Sequence, residues 1–193
     1  LTACPSNVGT GLRASVMMHL CGLKLKNEID GVIKALERMG IAVRGVQGEG
    51  TEAYGNMFQI SNQASLGKSE EEIIDRLMSI VTEVLQHEQN ARARLVEDSK
   101  IHVVDEIGRA YGILTHSCML SSGEAIDLVS SLRLGVELGM VKNLSVVKIN
   151  EILLLTQPGH LQKMAGRLLD PGERDELRSR TVRQKLKNVS ISG

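Results

Sequence analysis

Aromatic side chains are nearly missing from these 193 residues: Phe58, Tyr54 and Tyr111 are the whole complement, 2% of the chain, with no Trp. Base-stacking platforms and aromatic cages therefore have almost nothing to be built from. An excess of charge of either sign is missing too, since 23 Lys and Arg face 23 Asp and Glu. That balance argues against coating nucleic acid or an anionic membrane by bulk attraction. Three cysteines, Cys4, Cys21 and Cys118, form no Cys-x-x-Cys pair. A disulfide framework is not expected and a reducing, cytoplasmic setting is. No apolar run approaches the ~18 residues of a membrane helix, and the N-terminus lacks the basic-then-apolar plan of a signal peptide. What remains is globular composition, 42% hydrophobic and 24% charged, whose core the aliphatics and eight Met must fill.

The patterning changes character near Gly67. Before it, Ala14, Val16, Met18 and Leu20 alternate with Ser15, Met17 and His19, which predicts a half-buried strand. Ile29, Val32, Ile33 and Leu36 recur at helical spacing within 27–39, with Gly40 as a stop. Residues 41–46 and 56–61 read as two more strands, joined by a link rich in glycine through Gly48, Gly50 and Gly55. After it the period is 3.6. Ser69 and Glu72 form a capping box, and Ile73, Leu77, Ile80 and Val84 set the stripe of a helix reaching Asp98, about 40 Å long at ~1.5 Å per residue. Further helices are expected over 103–114, 123–138, 145–155 and 171–186. The reading is α+β: residues 1–67 form part of a sheet, and residues 68–193 a helical region whose early helices pack on it.

Two stretches carry more polar and glycine information than a core needs. The first is Thr2-Ala-Cys-Pro-Ser-Asn-Val-Gly-Thr-Gly-Leu-Arg13, a turn-rich approach to a strand with a thiol at one end and a guanidinium at the other. The second is Arg44-Gly-Val-Gln-Gly-Glu-Gly-Thr-Glu52, a strand giving way to a glycine-rich loop with two carboxylates. Such loops bring main-chain N–H groups and Arg forks close to a phosphate, because glycine has no Cβ in the way and the guanidinium is always charged. Neither is a Walker A or a dinucleotide fingerprint, and alone the first reads rather as a turn leading into a strand and the second as a solvated hairpin loop.

Together, Cys-Pro-Ser-Asn-x-Gly-Thr-x-x-Arg-Ala-Ser over Cys4 to Ser15, Arg-Gly-x-x-Gly-Glu-x-Thr-Glu over Arg44 to Glu52, and Gln59-Ile-Ser-Asn62 resemble the ATP:guanido phosphotransferases. Gly50, the long capped helix and the helical tail resemble the protein arginine kinase branch more than the creatine or free-arginine kinases, which usually carry His where Gly50 stands. The resemblance implies an antiparallel sheet and the use of ATP and Mg²⁺. It places the nucleotide along Arg13, Ala14, Ser15, Val16 and Met17 and along Arg44, Gly45, Val46, Gln47, Gly48 and Glu49. Glu49 is then the carboxylate that positions and deprotonates the acceptor guanidinium, and Cys4 the reactive thiol. No metal site of the protein's own is expected, because His19, His87, His102, His116 and His160 lack zinc-site spacing. Cys21 and Cys118 read as packing residues.

The tail adds a third candidate. From Pro171 to Gly193 six basic residues face three acidic ones, and Arg174-Asp175-x-x-Arg178-Ser179 resembles the Arg-Asp-x-x-Arg-Ala motif by which protein arginine kinases bind phosphoarginine. Arg174 and Arg178 share a helix face, so Arg forks could grip the phosphoryl group while Asp175 meets the guanidinium. Ser179 stands where the motif has Ala. The resemblance also implies protein substrates bearing arginine, an activator protein, a heat-shock repressor, a Clp-type protease and self-dimerisation. Its second acidic motif, of Asn-Glu-x-Asp-His type, and further phosphate-binding arginines lie upstream of Leu1. The chain is therefore expected to be the C-terminal portion of a kinase, with little or no activity alone. Two rivals stay open: a non-catalytic phosphoarginine-binding module, and a kinase of a small free guanidino compound.

Overall fold

A computed structural model describes residues 8–45 and 53–191. The chain divides into two compact units, Leu1–Asp98 and Ser99–Gly193. The composition changes at Gly67, but the first unit continues through another 31 residues, because the helix that follows supplies one wall of the sheet's core.

In the first unit, β1 (Ser15–His19), β2 (Ile41–Gly45) and β3 (Met57–Asn62) form a sheet in the order β1-β3-β2, with β3 antiparallel to both neighbours. Helices α1 (Cys21–Leu25) and α2 (Ile29–Arg38) lie between β1 and β2 in sequence, and one 3-10 turn, Tyr54–Asn56, leads into β3. Helix α3 (Glu70–His116) carries the capping box: Glu72 N–H donates to Ser69 Oγ at 3.2 Å, and Ser69 N–H to Glu72 Oε2 at 2.7 Å. It is interrupted at Ser99 (φ −146°, ψ 36°), and its buried apolar positions resume beyond the break at Val103 and Ile107. Met18, Phe58 and Ile60 from the sheet, Ile33 and Leu36 from α2, and Leu77, Ile80 and Val84 from α3 close the core.

One buried carboxylate ties this core to the end of β1. Glu88, 1% exposed, accepts from the N–H groups of Gly22 at 2.8 Å and Leu23 at 3.0 Å, the donors at the start of α1, and pairs with Arg92. Arg92 Nη2 donates onward to the His19 carbonyl at 3.1 Å. Position 22 must be glycine, since a Cβ there would lie 2.8 Å from Arg92 Cγ and 3.0 Å from its backbone nitrogen. The start of a helix that lacks a side-chain cap is thereby satisfied from α3.

In the second unit, α3 from Lys100, α4 (Ser122–Glu137), α5 (Val146–Leu155), α6 (Pro158–Ala165) and α7 (Pro171–Lys185) surround a core that includes Ile107, Leu132, Ile149 and Val182. β4 (Val141–Lys142) and β5 (Ser190–Ile191) pair antiparallel. Cys21 is buried as expected, but Cys118 is exposed: α3 ends at His116 and the chain passes through an open loop before α4. Asp170 caps α7 in a full capping box with Glu173, and Pro171 fills the first turn. Arg167, then the Asp170 N–H, hold the Glu173 carboxyl down at about 2 from its ordinary 4.5. Among the described residues, no helix is long and apolar enough to cross a membrane.

Glu88→Ala orphans two buried N–H groups and takes from Arg92 its carboxylate, leaving it the His19 carbonyl, so the first unit should lose about 3 kcal/mol of stability. Hydrogen exchange should show β1 and α1 amides deprotected and the second unit unaffected; full protection of α1 would contradict this. Glu173 has a depressed folded-state pKa, so its contribution is present above about pH 4.5 and disappears as pH falls towards about 2. The gap in thermal midpoint between the native chain and Glu173→Gln should close over that window. A gap independent of pH would rule out the capping box as its source.

Candidate functional site

The sheet has two unlike faces, and strand periodicity sorts the candidate residues between them. Ala14, Val16 and Val43 pack against the core under α2 and α3. Arg13, Ser15 and Met17 alternate with them and are exposed. In register, Arg44 of β2 stands opposite Gln59 of β3, and Gln59 opposite Met17 of β1. Ser61 stands one pleat along, between Ala42 and Ser15. The result is a face open to solvent at Arg13, Ser15, Met17 and Arg44 and covered at Ser61, with a guanidinium at either end, the two Cα atoms separated by about 16 Å on ideal strand spacing.

Hydrogen bonds knit that surface together. Arg13 Nη2 donates to Ser61 Oγ at 3.4 Å, and Gln59 Nε2 to Ser15 Oγ at 3.1 Å. Neither Arg13 nor Arg44 pairs with a carboxylate among the described residues.

The turn-rich approach to Arg13 is held by side chains that follow β3. Ser65 Oγ donates to the Val8 carbonyl at 2.9 Å and accepts from Gly11 N–H at 3.2 Å. Asn62 Oδ1 accepts from Ala14 N–H at 2.8 Å, and its Nδ2 donates to the Leu12 carbonyl at 2.9 Å. Gly9, at φ +94°, lies so close to Ser65 that a Cβ would sit 2.5 Å from the Ser65 carbonyl oxygen. Sequence reasoning missed the part Ser65 plays, and saw Asn62 only as one letter of a motif. Both span more than 45 residues, and no local pattern encodes such contacts.

Of the sequence-predicted nucleotide residues, Arg13, Ser15, Met17 and Arg44 thus share the exposed face. Ala14 and Val16 turn their side chains to the core, so any contact from them to a nucleotide is through main chain. Gly45 ends β2. Cys4, Val46, Gln47, Gly48 and Glu49 lie outside the described residues. No cluster of His, Cys, Asp and Glu able to hold a metal occurs among the described residues.

The α7 candidates form a second, separately built group. Arg178 is 1% exposed: Nε donates to the Thr156 carbonyl at 3.0 Å, and Nη1 to the Leu120 carbonyl at 2.6 Å and to Asp175. Ser179, fully buried, donates to the Ser117 carbonyl at 2.6 Å, which also accepts from Arg183 Nη1 at 2.9 Å. A hydroxyl where the motif has Ala therefore has a partner waiting for it. Arg174 Nη1 donates to the Leu169 carbonyl at 2.7 Å. The motif grips the loop between α3 and α4 from inside the unit.

Comparison with known proteins matches both units. Residues 1–91 match the model described as ATP:guanido phosphotransferase, C-terminal catalytic domain, and residues 100–192 the one described as Protein-arginine kinase McsB C-terminal domain. The chain is 50% identical over 187 residues to a protein-arginine kinase of Halalkalibacterium halodurans, covering 97% of this chain and 52% of that protein. It is 49% identical over 186 residues to one of Bacillus velezensis (96% and 51%), and 50% over 187 residues to one of a Geobacillus species (97% and 52%). The chain spans about half the length of these relatives. With a matching sheet unit, a matching helical unit and this identity across both, the chain belongs to the ATP:guanido phosphotransferase family, in its protein-arginine kinase branch.

Proposed function

We propose that the sheet unit supplies the nucleotide face of an enzyme that phosphorylates arginine side chains of proteins with ATP. The observation that carries this is the exposed face on which Arg13 and Arg44 stand without carboxylate partners among the described residues. ATP supplies the transferable γ-phosphoryl group. Arg13 and Arg44 bind and align its phosphate oxygens, and Gln59 and Ser15 keep the surface between them polar and ordered. Mg²⁺ would be held chiefly by phosphate oxygens and water, as is usual for this ion at nucleotides, and no His, Cys, Asp and Glu cluster able to hold a metal occurs among the described residues. In the transfer, an acceptor guanidino nitrogen forms the N–P bond as the bond from phosphorus to the bridging oxygen of ADP breaks, and the nitrogen gives up its proton. Glu49 is proposed to take that proton and Cys4 to pair, as thiolate, with the acceptor's charge. The finer partners are proposed on the same footing: an activator protein, a heat-shock repressor, a Clp-type protease and a second copy of the chain.

We also propose that α7 reads phosphoarginine through Arg174, Asp175, Arg178 and Ser179. Arg178 acts there as a preset wall, its Nε and Nη1 engaged with main chain and Asp175, while Arg174, nearer the surface, meets the phosphoryl group.

In the full-length enzyme, Arg13→Ala and Arg44→Ala should each lower kcat/KM for arginine phosphorylation of a protein substrate by roughly 10²- to 10³-fold, as loss of one preset charged donor does. Phosphate appearing only on free guanidino compounds, or both variants within a few-fold of the native enzyme, would overturn the reading. Arg178→Lys cannot serve three acceptors in fork geometry and should cost the helical unit about 3 kcal/mol, whereas Arg174→Ala should leave its stability within about 1 kcal/mol and abolish calorimetric binding of phosphoarginine. Undiminished binding by Arg174→Ala would remove α7 as the reader.

A further inference from the structure

The helix-covered side of the sheet holds, at its rim, a cavity that neither proposed site uses. It has a volume of about 330 Å³ and lies where the end of α2 turns through Gly40 into β2, beside the end of β3 and the first turns of α3. Arg38, Lys68 and Arg76 line it, and no Asp or Glu does. None of the three pairs with a carboxylate among the described residues, whereas Lys26, Arg92 and Arg94 of the same unit each hold one. Arg76 is fixed in place, because its Nη2 donates to the Met39 carbonyl at 2.6 Å. Ile41, Ile73 and Leu77, each 3% exposed, make an apolar floor. Charges against such a wall act across a lower dielectric than charges in open water, so an anion entering the concavity meets three cations together.

The cavity is distinct from the nucleotide face by parity. Ile41 and Asn62, which line it, are register partners and share the side of Val43 and Ile60, the side under the helices. Arg13, Ser15 and Arg44 are on the other side.

We propose that this cavity is a second anion site that takes a compact oxyanion of at least two negative charges, a phosphate ester or a polycarboxylate. The guanidinium forks of Arg38 and Arg76 match either group in bidentate fashion, Lys68 adds a compact charge, and the volume sits at the small end of ligand pockets. The proposal does not depend on the kinase reading.

The test is a titration of the ¹⁵N-labelled full chain with pyrophosphate and, separately, with citrate, at about 0.15 M salt, where weak surface attraction is screened. Saturable shifts are expected at the Gly40 and Gln63 amides, with affinity at least tenfold weaker in the double variant Arg38→Gln/Lys68→Gln and unchanged in Arg44→Ala. The tighter of the two ligands tells whether phosphate or carboxylate is the natural chemistry. Shifts confined to Ser15 and Gln59, no shifts at all, or shifts untouched by the double variant would each overturn the proposal.

Discussion

The pairing register of β3 with its two neighbours is the constraint on which the rest of the sheet unit depends. Side chains alternate strictly along a strand, so a slip of one residue between β1 and β3 would send Arg13 and Ser15 into the core and raise Ala14 and Val16 into solvent. Burying a guanidinium without partners is far more costly than exposing an alanine, and that difference pins the register. The same pins set the chemistry, because Arg44 on β2 reaches the face of Arg13 only if β2 pairs with β3 in its observed phase. Fold and candidate site are specified by one alternation.

Registration needs anchors at the strand ends, and the two ends of β1 are fastened by different means. At its start, Asn62 and Ser65 bind the main chain of residues 8–14 through neutral hydrogen bonds. At its end, Glu88 and Arg92 of α3 bind the His19 carbonyl and the first turn of α1. The neutral anchors cost less to desolvate, which suits a loop beside the proposed nucleotide face. A carboxylate there would compete with the ligand for Arg13. The charged pair lies 1% exposed at Glu88, inside the unit, where its field does not reach the open surface unscreened.

Features governed by local pattern were legible in the sequence, and features governed by distant contact were not. The alternation of β1, the Ser69–Glu72 capping box and the Pro171 start of α7 follow from neighbours within four residues, and each is present, except that His19 at the end of β1 is buried where the alternation would expose it. The antiparallel order of the strands was implied only by family resemblance, because pairing partners are set by tertiary contact. α1, α6 and the β4–β5 pair escaped notice: α1 has five residues, α6 eight and the strands two each, too few for a period to emerge. Cys118 was expected to pack because free cysteine usually does, but its exposure is decided by where α3 stops. The paired role of Arg178 was invisible for the opposite reason, since a cation in a basic tail gives no sign that two main-chain carbonyls await it.

Neutrality of the whole chain conceals how unevenly its cations are used. Arg92 and Arg178 are committed to carbonyls and carboxylates inside their units, where removing either partner would leave a desolvated charge. Arg94, Arg167 and Arg180 hold exposed carboxylates, bonds that water and salt make weak. Arg13 and Arg44, and separately Arg38, Lys68 and Arg76, have no carboxylate partner among the described residues. A balanced formal charge forces equal numbers of acids to stand elsewhere, as at Glu70, Glu71 and Asp75 on the exposed side of α3. Zero net charge thus argues only against a polyanion held by the field of the whole molecule. Against a small anion held by two or three fixed donors it has no force, because Coulomb attraction at contact distance outweighs charges screened beyond ~8 Å at physiological salt. Local imbalance, not the total, determines where such a protein can hold phosphate.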